Sequence, residues 1–233
     1  MKKKINNNTL YHKIMDDKIF KIALIYILLI ILSIAFSNNV LQFTYFTFIN
    51  QIFLSIPYSS LITIILSLFI TIIVFNSFLR NSLLEQRFYS KKKLFHLILS
   101  NYLKILLTFL IFIFLISIIT ANLFSNFNMN FIVNGKINMQ IIYILLNLYI
   151  TAVNITIWFL IINILFNYIG EKISTVSIVF LALYQYVDPN FKLIFSYINS
   201  INNLWFLLVT PIILFVFYKL NLILYLKRNW RIK

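Results

Sequence analysis

The chain has 233 residues, 62% of them hydrophobic and 11% charged, with a formal net charge of +15. Soluble domains run at about 45 to 50% apolar and about 25% charged, so the composition excludes an ordinary soluble domain and points to an integral membrane protein. The absence of Cys excludes disulfides, thiolate nucleophiles and thiolate metal sites. The two glycines, Gly135 and Gly170, lie too far apart for a phosphate-cradling loop of the form GxxxxGK(S/T) or GxGxxG.

Taken from the N-terminus, Thr9 to Lys18 places Leu10, Tyr11, Ile14 and Met15 on one side and Lys13, Asp16 and Asp17 elsewhere, as in an amphipathic helix lying in a membrane interface. A crossing needs about 20 mostly apolar residues, because a helix rises about 1.5 Å per residue through a hydrocarbon core about 30 Å thick. Six stretches qualify, approximately 20–36, 58–79, 102–124, 140–169, 173–187 and 204–226. The second run reaches back to Ile52, but Pro57 removes a backbone donor and moves the crossing proper to near Leu61. Pro211 lies inside the last run and either kinks it or is accommodated by neighbouring helices. The runs are continuous rather than alternating, which makes them helices and not barrel strands. Lys2, Lys3 and Lys4 before the first run, and Ser33-Ile34-Ala35 within it, resemble a secretory signal. Asp16 and Asp17 in the leader and the five later runs favour an uncleaved span.

Basic residues set the orientation. With both termini cytoplasmic, 18 of the 20 Lys and Arg fall on the inner side, and only Lys136 and Lys192 fall outside. That bias fits the positive-inside rule and an even number of crossings. Lys21, Lys104 and Lys219 lie near inner ends, where they can snorkel. The expected fold is therefore an all-α integral membrane protein: one transmembrane domain over 1–233, six helices, both termini cytoplasmic and an amphipathic N-terminal interfacial helix. The charge accounts for contact with anionic membrane lipids, and no soluble module is present to bind nucleic acid.

The acids Asp16, Asp17, Glu85, Glu171 and Asp188 all fall in tails or at loop edges, so no span offers an intramembrane proton carrier or a paired-acid catalytic set. His12 and His96 lack partners at metal-ligand spacing and read as solvated surface. Neither catalytic residues nor a bound cofactor or metal is expected, and any energy must come from a partner. The inner loop 80–101 is the place to look for one. It contains Glu85, Gln86, Arg87, Lys91, Lys92 and Lys93 beside the apolar Phe88, Tyr89, Leu94 and Phe95. Such a loop either satisfies the positive-inside rule alone or docks into a protein groove. In the fourth span Asn147, Thr151, Asn154 and Trp158 share one helix face, which suits either helix packing or a substrate-lining wall. Asp188-Pro189-Asn190 starts a turn, and Phe191, Ile194, Phe195 and Tyr197 after it suit an aromatic interface anchor.

The six spans, the amphipathic leader, Glu85 followed by a turn at Tyr89-Ser90, the run Lys91 to Lys93, Lys104 leading into the third span, and the basic tail Tyr225 to Arg231 together resemble the membrane subunit of type-2 ABC exporters. The family's Gly-Thr after the acid is replaced by Phe88-Tyr89-Ser90. The resemblance implies a non-catalytic permease of the bacterial plasma membrane, paired with a second permease copy or a related one. It also implies a separate cytosolic ABC ATPase that holds ATP and Mg. Glu85, Gln86, Arg87, Tyr89, Lys91, Lys92 and Lys93 would couple to that ATPase, and Asn147, Thr151, Asn154 and Trp158 would line the substrate pathway. The segment from Asp188 to Tyr197 would be the family's re-entrant outer element. The substrate class the resemblance implies is an antimicrobial or other amphipathic peptide, for export or self-immunity. The rivals are a non-transporting membrane scaffold or immunity protein and an enzyme acting on lipid headgroups.

Overall fold

The computed structural model describes residues 18–37, 61–75, 91–124, 132–133, 136–137, 139–187 and 204–227. Helix α1 spans Lys18–Ser37. A π-helical turn, Leu61–Ile65, leads into α2, Leu66–Val74. Helix α3 covers Lys91–Phe124. Strands β1 (Ile132–Val133) and β2 (Lys136–Ile137) form an antiparallel pair with Ile132 opposite Ile137. Helices α4 (Met139–Tyr168), α5 (Glu171–Val187) and α6 (Leu204–Lys227) follow. The described chain is thus helical apart from this two-residue ladder.

Among the described residues, three helices are long and apolar enough to cross a membrane: Lys18–Phe36, Lys91–Thr120 and Leu148–Tyr168, with Leu61–Val74 a shorter apolar helix. Continuous apolar sequence takes this form because each backbone N–H finds its acceptor within the helix, where hydrocarbon offers none. Helix α6 passes through Pro211 without ending there. Several hydroxyl side chains on the helices return their protons to the preceding turn, as in Thr71 Oγ1 to the Ser67 carbonyl at 2.7 Å and Ser117 Oγ to the Ile113 carbonyl at 2.6 Å. They are thereby satisfied without water.

Burial is organised around α4, in which every residue from Ile150 to Asn167 is at least partly covered. It packs against α2, α5 and α6. One core joins α1, α2 and α3 through Phe20, Ile27, Ile31, Ile70, Tyr102 and Phe109, with the rings of Phe20 and Phe109 4.9 Å apart. A second joins Ile64, Leu68, Trp158, Ile162, Phe166 and Ile178. Outside these cores the pattern is the reverse of a soluble protein. Leu107, Ile111, Leu115, Ile119 and Leu123, at four-residue spacing on α3, are each more than half exposed. An apolar ridge of that length is a liability in water and the ordinary surface of a helix in lipid.

Contacts fix the relative directions of the helices. Lys91 Nζ donates to the Leu226 carbonyl at 3.2 Å, which places the start of α3 beside the end of α6. On α3, Tyr102 meets Thr156 and Phe159, while Ile98 and Leu99 share a cleft with Asn163, so α3 and α4 are antiparallel. Phe75 and Phe166 meet edge-on at 5.7 Å at the same end. The α4–α5 turn is tight: Ile169 N–H donates to the Leu165 carbonyl at 2.8 Å, and Ser174 N–H donates to the carbonyl of Gly170, whose φ is 96°. Lys91 to Lys93, Lys172 and Lys227 therefore gather at one end of the bundle. The hairpin carrying Lys136, between α3 and α4, lies at the other.

The third helix departs from the loop expected over 80–101, because residues 91–101 are the first three turns of α3. Leu94 and Phe95, which beside so many charges are expected to be exposed, are 3% and 4% exposed. The cause is in the sequence: no Gly or Pro interrupts 91–124, and Leu94, Phe95, Ile98 and Tyr102 form a stripe that buries against neighbours. At about 1.5 Å per residue the helix is about 51 Å long, some 20 Å more than a hydrocarbon core requires.

Candidate functional site

Two groups of residues are the candidates: the basic end of the bundle and the polar residues of α4. At the basic end, Lys91, Lys92 and Lys93 occupy the exposed first turn of α3. That turn carries no acidic residue, so three ammonium groups sit at the positive end of the helix dipole. The arrangement is held by apolar contacts one turn later. Phe95 packs its ring 5.7 Å from Tyr218 and 5.5 Å from Tyr225, and Lys91 caps a carbonyl at the negative end of α6. The start of α3 and the end of α6 thus form one unit. Glu171, in the first turn of α5, is the single carboxylate among the described residues and is placed where the dipole favours a negative charge. Glu85, Gln86, Arg87 and Tyr89 lie outside the described residues, as do the leader Thr9 to Asp17, the Asp188 turn and the tail beyond Lys227.

On α4, Thr151, Asn154 and Trp158 are 4%, 4% and 7% exposed. Asn147 belongs to the same helix. Trp158 is packed among Ile64, Leu68, Ile162 and Phe166, between α2, α4 and α5. Thr151, Asn154 and Trp158 are therefore interior to this chain, against neighbouring helices. On the other side of α4 a small cleft is lined by Thr71, Phe75, Phe95, Phe159, Asn163 and Tyr225, with room for about one water molecule.

Two polar contacts that the sequence reading did not single out tie α4 to its neighbours. Asn163 Nδ2 donates to Asn221 Oδ1 at 2.8 Å, and Asn221 Nδ2 donates to the carbonyls of Leu160 at 3.1 Å and Phe217 at 2.9 Å. Tyr102 lies stacked on Phe159, ring centroids 3.9 Å apart, and its hydroxyl donates to Thr156 Oγ1 at 2.8 Å. Thr156 in turn donates to the Ala152 carbonyl at 2.7 Å. The available signal was an Asn inside each of two apolar runs, which in a membrane demands a protein partner. No group of three or more His, Cys, Asp or Glu able to hold a metal occurs among the described residues. Comparison with known proteins finds no matching family model, no matching curated protein and no matching solved structure.

Proposed function

We propose that the chain is the permease subunit of an ATP-driven type-2 ABC exporter, crossing the bacterial plasma membrane six times with both termini cytoplasmic. It moves an amphipathic substrate, an antimicrobial or other amphipathic peptide, as a dimer with a second copy or a related permease. A separate cytosolic ATPase supplies ATP hydrolysis with Mg. Glu85, Gln86, Arg87, Tyr89 and Lys91 to Lys93 form the contact with that ATPase, and the face carrying Asn147, Thr151, Asn154 and Trp158 becomes pathway wall when the helices part.

The observation that supports this reading best is the continuity of α3 from Lys91 to Phe124, clasped to α6 at the basic end. A displacement applied at Lys91 to Lys93 is carried along an uninterrupted helix to the far end of the bundle, which is what a subunit driven from outside requires. The filled interior around Trp158 favours one second reading, a non-transporting immunity protein that binds its target. Transport by the unmodified chain with its ATPase separates the two, and Glu85→Ala combined with Lys92→Glu tests the coupling. In reconstituted vesicles the exporter reading expects ATP hydrolysis to persist while transport falls at least tenfold, and transport at the unmodified rate would refute the coupling assignment.

A further inference from the structure

Along its outward side, α3 passes from polar to apolar around Leu103 and Lys104. Lys92, Lys93, His96, Ser100 and Lys104 are all exposed and cover the lower part of the helix. Above them Leu107, Ile111, Leu115, Ile119 and Leu123 are each more than half exposed, and Leu103, also exposed, borders Lys104 from below. At 100° per residue the upper set stands directly over the lower: Leu107 is 11 positions beyond His96 and Ile111 is 11 beyond Ser100, about 16 Å higher on nearly the same bearing. A water-facing helix does not carry the upper half, and a helix wholly inside hydrocarbon does not carry the lower.

We infer that this face of α3 seats one anionic phospholipid, with the phosphate at Lys104, Ser100 and His96 and an acyl chain along Leu107 and Ile111. Charge complementarity supports a lipid rather than a protein helix as the occupant. Neither α3 nor the adjoining α6 contains an acidic residue, so the cations of the face have no carboxylate on either helix. The polar part also has a wall: the His96 ring lies 6.5 Å from the Tyr218 ring of α6, and the next residue, Lys219, is exposed. Lys104 stands at the change from polar to apolar, where an ammonium meets a phosphate ester with its stem still in hydrocarbon. The site is independent of the transport reading and needs only that α3 spans the bilayer.

The test is native mass spectrometry of the full chain in detergent, titrated with phosphatidylglycerol or with phosphatidylcholine of the same acyl length. The expected result is a bound phosphatidylglycerol in preference to phosphatidylcholine, and about fivefold weaker retention in Lys104→Gln, the effect of one ammonium near a lipid surface. Leu107→Ala with Ile111→Ala, on the exposed ridge, should weaken both lipids alike. Lys21→Gln, an exposed lysine on α1, is the control for diffuse attraction and should leave the preference unchanged. Equal retention of the two lipids, wild-type retention in Lys104→Gln, or an equal loss in Lys21→Gln would each overturn the assignment. Elution volume and helical circular dichroism identify any variant that has lost its fold, and His96→Gln then repeats the test at the neighbouring position.

Discussion

Asn221 is 2% exposed and makes two hydrogen bonds across to α4, accepting from Asn163 Nδ2 and donating to the Leu160 carbonyl. Interhelical hydrogen bonds in membrane proteins are worth about 0.6 kcal/mol on average and up to about 1.7, since the dissociated helices find other partners. Two such bonds put the loss in Asn221→Leu at about 1 to 3 kcal/mol, with the added bulk of Leu a further cost of its own. A double-mutant cycle with Asn163→Leu removes that second contribution, because overpacking at one site enters both arms. The cycle is measured by unfolding in mixed micelles of mild detergent and dodecyl sulfate, followed by Trp fluorescence. The double variant should be less destabilised than the sum of the singles by about 0.5 to 1.5 kcal/mol. Strict additivity, or a neutral Asn221→Leu, would contradict the polar contact between α4 and α6.

Three further outcomes follow from the same structure. Because the chain has no Cys, single-cysteine variants report topology directly: with a membrane-impermeant maleimide, Lys136→Cys should label in intact cells, and Lys93→Cys and Lys172→Cys only after permeabilisation. Labelling of all three from one side would contradict the proposed arrangement. Gly170→Ala should destabilise by about 1 to 2 kcal/mol through backbone strain alone, since φ is 96° and no atom lies within 4 Å of the added methyl; an unchanged midpoint would refute the strained turn. Tyr102→Phe keeps the stack on Phe159 but loses the bond to Thr156, so about 1 kcal/mol of stability should go in the same assay, and no change would assign the contact to packing alone.

Helix positions were legible because apolar runs broken by polar turns leave little choice. The stretches expected over 20–36, 140–169, 173–187 and 204–226 are helical as Lys18–Ser37, Met139–Tyr168, Glu171–Val187 and Leu204–Lys227. The start of α3 was not legible to the same argument, because a length criterion counts the hydrocarbon and stops where Lys and Asn begin. The uninterrupted stripe of Leu94, Phe95, Ile98 and Tyr102, with no breaker beside it, was the better guide. For the α4 stripe, periodicity gave the shared face of Thr151, Asn154 and Trp158 but not what it meets, since that depends on α2 and α5. The Asn163–Asn221 pair was beyond reach for the same reason. Its members are 58 positions apart and on different helices, and no local spacing connects them.

The central proposal is that this chain works with a separate ATPase. A mild-detergent pull-down of the tagged full chain from its native host, with the eluate assayed for bound proteins and ATP hydrolysis, tests it most directly. The account predicts a stoichiometric partner carrying GxxxxGK(S/T), with hydrolysis in the eluate, and loss of both when residues 85–93 are replaced by a neutral linker. A chain recovered alone and without ATP hydrolysis, under conditions that keep other membrane complexes intact, would contradict it and leave the immunity reading in its place.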